Sequence, residues 1–143
     1  SSAVVMIPVS ALIIDSPEAR QMAHLGSGPS RDDVRTIQAR MLGPEVLDAS
    51  QHPTISFKAA SARESRSGRL LVTGDLALHG HTHRISVPVN YRRDASGAYV
   101  FDGNFTIRQT DFGIKPETAG GGTVKVKDEV QIRFRISLVP AAL

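Results

Sequence analysis

Apolar residues recur at every second position in several stretches of this 143-residue chain, most densely from Leu70 to Tyr91. Leu70, Val72, Leu76 and Leu78 keep one phase, with Gly74 in step. After a break at Gly80 the alternation resumes through Ile85, Val87, Val89 and Tyr91. Successive side chains of a strand point to opposite faces, so the pattern predicts two antiparallel strands joined at the HGHT segment. One wall of that pair is apolar and needs a cover; the other carries Thr73, Asp75, Ser86 and Asn90.

The remaining chain supplies the rest of a sheet. Ala3 to Ile14 predicts a strand covered on both sides, because Val5, Ile7, Val9 and Ile13 in one phase and Val4, Met6, Leu12 and Ile14 in the other are all hydrophobic. Asp15-Ser16-Pro17-Glu18 reads as the start of a short helix ending near Gly26. Ser30 caps a second helix, with Asp32 and Asp33 in its first turn, an apolar stripe of Val34, Ile37 and Met41, and a stop at Gly43-Pro44. Pro53 introduces a strand with Ile55 and Phe57 inward. Asp94 to Gly97 makes a turn, after which Tyr99, Phe101, Phe105 and Ile107 alternate with Gly103 in phase. Val130, Ile132, Phe134, Ile136 and Leu138 form the cleanest alternating run, opposed by Gln131, Arg133 and Arg135. The expected architecture is one all-β domain over residues 1–143, an antiparallel sheet of about six strands with a helical insertion near residues 16–50.

Composition narrows the chemistry. There is no cysteine, hence no disulfide framework and no thiolate metal site. The formal charge is +3 with aromatic residues at 5%, and the basic residues are scattered, which argues against a nucleic-acid platform. No apolar run approaches the ~18 residues of a membrane span, and the start shows no secretory leader pattern.

At these same residues the chain resembles a known family. LALHGHTHRISVPV, Leu76 to Val89, is similar to the signature hairpin of YceI-like proteins, with His81 where valine is usual and His83 ahead of the basic Arg84. Ile107 to Ile136 resembles the closing strands of that family through its Asp-Phe-Gly-Ile and Val-x-Val-x-Asp-x-Val segments, and Leu42 to Ala59 resembles its proline-then-strand entry. The resemblance implies an antiparallel lipocalin-like β-barrel of about eight strands. This chain's match begins at what looks like the third, so the barrel is incomplete at its N-terminal side, with two open edges. A further segment or a second copy of the chain is expected to complete it.

Candidate chemistry is thin outside the interior. His79, His81 and His83 alternate, but residues two apart on a flat strand stand ~7 Å from each other, too far to share one ion without a turn. An exposed turn is the expected setting. Asp111-Phe112-Gly113 matches the magnesium trio of protein kinases without the rest of that constellation. By the YceI-like resemblance Phe112 is expected in the core and Gly113 at a turn, with Asp111 either paired with Arg108 or capping the loop. No nucleophile motif occurs.

The interior is therefore the expected site. Phe57, Leu76, Leu78, Val87, Val89, Phe101, Phe105, Ile107, Phe112 and Phe134 belong to it, while Arg108 and Gln109, near a strand end, are placed to meet a polar head. By the resemblance, the ligand is a polyisoprenoid, quinone-like or fatty lipid, no cofactor is obligatory, and the protein is a non-catalytic carrier of the bacterial periplasm or cell envelope. Two other readings stand beside it: a metal- or haem-interacting accessory protein using the histidines, and a structural subunit that pairs its strands with another chain or copy.

Overall fold

A single curled antiparallel sheet organises the molecule. The computed structural model describes residues 3–12, 31–116, 118–119, 124–125 and 127–139. Its strands are β1 (Ala3–Pro8), β2 (Thr54–Arg66), β3 (Arg69–Leu78), β4 (His81–Arg93), β5 (Tyr99–Arg108) and, after two short strands β6 (Thr118–Ala119) and β7 (Val124–Lys125), β8 (Glu129–Leu138). The order is β1-β2-β3-β4-β5-β8, every pair antiparallel, and the sheet curls into a half-barrel. Among the described residues β6 and β7 pair with each other and not with the main sheet.

Register decides which side chains share the inner face. Leu70, Val72, Gly74, Leu76 and Leu78 stand opposite Val89, Val87, Ile85, His83 and His81. Phe101 stands opposite Tyr91 and Ile136, and Gly103 opposite Val89 and Phe134. The other face is polar and laced across strands. Thr73 and Ser86 share a hydrogen bond of 2.9 Å, Arg84 is bidentate to Asp75, and Asn90 donates to Asp102. The hydrogen-bonded guanidinium of Arg84 holds the Asp75 carboxyl below the usual range. Irregular register between Ala59 and Ser61 and between Glu64 and Arg66 marks bulges in β2, which bend the sheet.

The first strand departs from expectation. It stops at Pro8, the chain passing into a 3₁₀ turn at Val9–Ala11, because Val9 N–H donates to Pro53 O at 2.8 Å and its side chain enters the core. Nor is it covered on both sides: Val4 and Met6 are 55% and 68% exposed, whereas Val5 and Ile7 are half-buried. The helix expected from Asp15 and the Ser30 cap lie outside the described residues. The second helix, α1 (Arg31–Leu42), ends at Gly43 as expected.

The histidine segment also differs. The turn is only His79-Gly80, both with positive φ (51° and 72°), and β4 starts at His81. Positive φ at both central positions is the two-residue turn that matches strand twist. His81 and His83 therefore belong to a strand and point along its inner phase, contrary to their expected placement in the turn.

Candidate ligand-binding site

The inner face divides into two halves with different fates. Toward the His79-Gly80 turn it is sealed. Leu76, Leu78, Ile107 and Phe112 form one buried cluster with Val9, Leu47 and Ile114, and Met41, Leu42, Val46 and Ala49 pack against it from α1 and the turn that follows. Phe112, 1% exposed, closes this plug. Gly113 follows it with φ +70°, and a Cβ there would fall 2.7 Å from His81 Nε2, so only glycine lets the ring lie against the backbone.

Imidazoles surround that plug. His79 Nδ1 lies 2.9 Å from Phe112 O, and His81 Nδ1 lies 2.8 Å from His79 O. A carbonyl only accepts, so both rings donate from Nδ1. His52 meets His79 edge-on at 5.3 Å between centroids, and His83 meets Phe112 likewise at 5.1 Å. The geometry locks a turn against a loop. Among the described residues no group of three or more His, Cys, Asp or Glu could hold a metal ion.

Toward the other end the face stays open. Val87 and Val89 are buried there, and Leu70, Val72, Tyr91, Phe101, Phe134 and Ile136 are half-buried among the described residues, while Phe105, like Phe57, packs against the plug. Phe57 is half-buried and lies over Gly74. Gly103 is where β4 comes closest: a Cβ there would meet Pro88 O at 2.7 Å and the Phe134 ring at 3.0 Å. Past the Val89–Gly103 pair β4 and β5 no longer pair. A shallow cleft of about 340 Å³ opens in the gap, on the plug side of the sheet, lined by His83, Ile85, Ile107, Phe112, Arg108, Asp111 and Glu129 among others.

Of the two polar residues expected at a ligand head, Arg108 is exposed at this cleft. Gln109 is buried, and its Nε2 donates to Lys127 O at 2.9 Å, so the structure does not bring it to the surface beside Arg108. Asp111 neither pairs with Arg108 nor caps the loop. The capping carboxylate is Asp128, which accepts from Thr110 N and Oγ1 at 2.8 and 2.7 Å; those bonds, the hydroxyl's foremost, hold it below the ordinary carboxylate range. Leu70, Val72, Tyr91 and Ile136 were detectable from alternation alone, and Val9 lay in one of the two apolar phases of the first strand, whereas Leu47 and His52 carry no periodic signal.

One family model, described as the YceI-like domain, matches residues 15–138, a span that takes in the Gly-turn hairpin and the Asp-Phe-Gly loop. The chain belongs to the YceI-like family. A "UPF0312 protein" of Pseudomonas savastanoi pv. phaseolicola is 33% identical over 76 residues, 50% of this chain and 40% of that protein. A "UPF0312 protein" of Vibrio cholerae is 28% identical over 116 residues, 78% of this chain and 53% of that one. The chain thus spans about half the length, or less, of these YceI-like relatives.

Solved structures agree on the fold. Burkholderia cenocepacia BcnA superposes with a TM-score of 0.70 at 20% identity, covering 96% of this chain and 74% of that one. The Campylobacter jejuni YCEI protein gives 0.69 at 13% identity, covering 99% and 74%. In both, a quarter of the other chain has no counterpart here, beside a YceI-like sheet whose β1 and β8 edges are unpaired among the described residues.

Proposed function

We propose that this YceI-like chain is a non-catalytic binding protein that sequesters a long apolar chain, a polyisoprenoid, quinone-like or fatty lipid, on the inner face of its sheet, within a bacterial cell envelope. The observation that carries the reading is the division of that face: one half is packed shut by the protein's own side chains, and the other presents hydrocarbon and aromatic rings that stay only half-buried among the described residues. Sealing one end fixes how far a tail enters. At ~0.8 kcal/mol per buried methylene, a tail burying about ten such groups gains ~8 kcal/mol before ordering costs, enough for micromolar affinity. Family membership supports the same ligand class, and the curated relatives are bacterial.

Native mass spectrometry of protein purified without detergent tests this. A mass adduct that extracts into organic solvent and identifies as a long-chain lipid supports the reading. Protein free of any adduct, which also fails to take up a fluorescent polyunsaturated fatty acid, overturns it.

A second reading draws on one further observation. β1 carries no charge along its open edge, and charge is the usual device for blunting such edges. Under it, β1 and β8 pair with strands from a second copy or from a further segment, completing a barrel around the same apolar face. Size-exclusion chromatography with light scattering separates a dimer from a monomer.

A further inference from the structure

Positive charge collects at the open end of the sheet, where the β2–β3 and β4–β5 turns lie. Arg63, Arg66, Arg69, Arg92, Arg93 and Arg135 all fall there, against the carboxylates of Glu64, Asp94 and Asp102. Six guanidiniums against three carboxylates leave a formal excess of three positive charges; Asp94, near Arg92, accepts from the Ser96 amide and hydroxyl and from Ala98 N, and Asp102, opposite Arg135, accepts from Asn90. Among the described residues none of the six arginines is in an ion pair.

Hydrocarbon runs out to the same rim. Tyr91, Phe101 and Ile136 form one cross-strand row of the inner face, and Arg93, Tyr99 and Leu138 form the next, outermost one. Tyr99 is 40% exposed and Leu138 55%. The Arg93 guanidinium stands 5.2 Å over the Tyr99 ring. On the outer face, Arg69 and Arg135 bracket the row that contains Asn90 and Asp102. The end thus carries cations on both faces beside an apolar lip.

We propose that this end docks on an anionic phospholipid bilayer, the arginines against lipid phosphates and Tyr99 and Leu138 in the interfacial zone. Guanidinium groups match phosphate in a bidentate fork, and an aromatic hydroxyl beside an aliphatic side chain suits the boundary between headgroups and acyl chains. Nucleic acid fits less well. Tyr99 is the one exposed aromatic among the described residues, and its ring is already covered by Arg93, which leaves no stacking platform. Docked this way, the open half of the inner face points toward the lipid. The proposal does not require a bound cargo, so it stands or falls apart from the carrier reading.

Flotation of the full chain with vesicles tests it. Binding is expected to phosphatidylcholine vesicles containing phosphatidylglycerol at low ionic strength, to weaken as salt screens the attraction, and to be absent with phosphatidylcholine alone. Each arginine removed lowers affinity roughly fivefold. Arg66→Glu, Arg69→Glu and Arg92→Glu together abolish it, and the single surface variant Arg92→Gln gives a fivefold loss should the triple variant fail to fold. Lys115→Glu, at the sealed end, leaves binding unchanged. Tyr99→Ser with Leu138→Ser weakens it several-fold at constant charge. Absence of flotation at low salt, equal binding to neutral vesicles, insensitivity to the arginine changes, or retention of an oligonucleotide by protein that ignores vesicles would each overturn the proposal.

Discussion

Gly113 has little freedom to change. Its φ of +70° and the His81 ring against its α-carbon both exclude a side chain. Gly113→Ala is expected to cost about 2 kcal/mol in urea unfolding, the sum of a left-handed backbone penalty and a steric clash. His81→Ala in the same chain should recover the clash alone, and a double-mutant cycle reads the coupling. Asp128 offers a test against pH. Its carboxyl is depressed in the folded state by Thr110, so its stabilisation is complete above the unfolded carboxylate value near ~3.9 and is lost as pH falls through the folded value. Thr110→Val should raise the Asp128 pKa in an NMR titration and move acid unfolding to higher pH; an unchanged titration would assign the shift elsewhere. These roles were only partly legible. The settings of Phe112 and Gly113 followed from the YceI-like resemblance, but Asp111 and Asp128 are both acids near a turn. What separates them is a partner 18 positions away, which spacing along the chain does not reveal.

Among the elements, β3, β4, β5 and β8 were legible because apolar residues alternate along them, whereas only the Ile55–Phe57 start of the bulged β2 was. The central hairpin was legible as a hairpin, though a two-residue turn and a four-residue one look alike when histidines flank the glycine. β1 was misread for a physical reason. Both its phases are apolar, so periodicity does not tell a covered strand from an edge, and its stop is set by Pro8 and a tertiary bond to Pro53. As an edge strand held from one side, β1 should show amide exchange on the order of a hundredfold faster than β3 and β4 in an isolated monomer. Slow exchange across Val5 to Ile7 in a protein shown to be monomeric would contradict an open edge. If a second copy covers it instead, Val4→Lys with Met6→Lys should shift the protein from dimer to monomer by light scattering while leaving the far-UV spectrum unchanged.

At the scale of the whole molecule, alternation tells which side chains face inward but not how deep they end up. Depth is set here by segments with no period: the turn at Val9–Ala11, the chain after α1, and the Gln109–Phe112 turn. That is why ten apolar residues expected to share one interior divide into plug and open face. The division makes opposite predictions for two substitutions of similar chemistry. Leu78→Ala lies in the plug, so it should destabilise by about 2–5 kcal/mol through transfer and cavity costs. Lipid occupancy should stay unchanged at temperatures where the variant is folded. Phe134→Asp lies on the open half, where the ring is half-buried and edge-accessible. It should lower the melting temperature less than Leu78→Ala does, and it should abolish the lipid adduct, because a carboxylate on that face must be desolvated for a hydrocarbon to lie over it. Thermal melts and native mass spectra of the two variants, purified side by side, read both quantities. A Phe134→Asp protein that keeps its full adduct, or a Leu78→Ala protein whose occupancy falls while it remains folded, would mean that the ligand lies against the plug and that the open half is only an unfinished edge of the sheet.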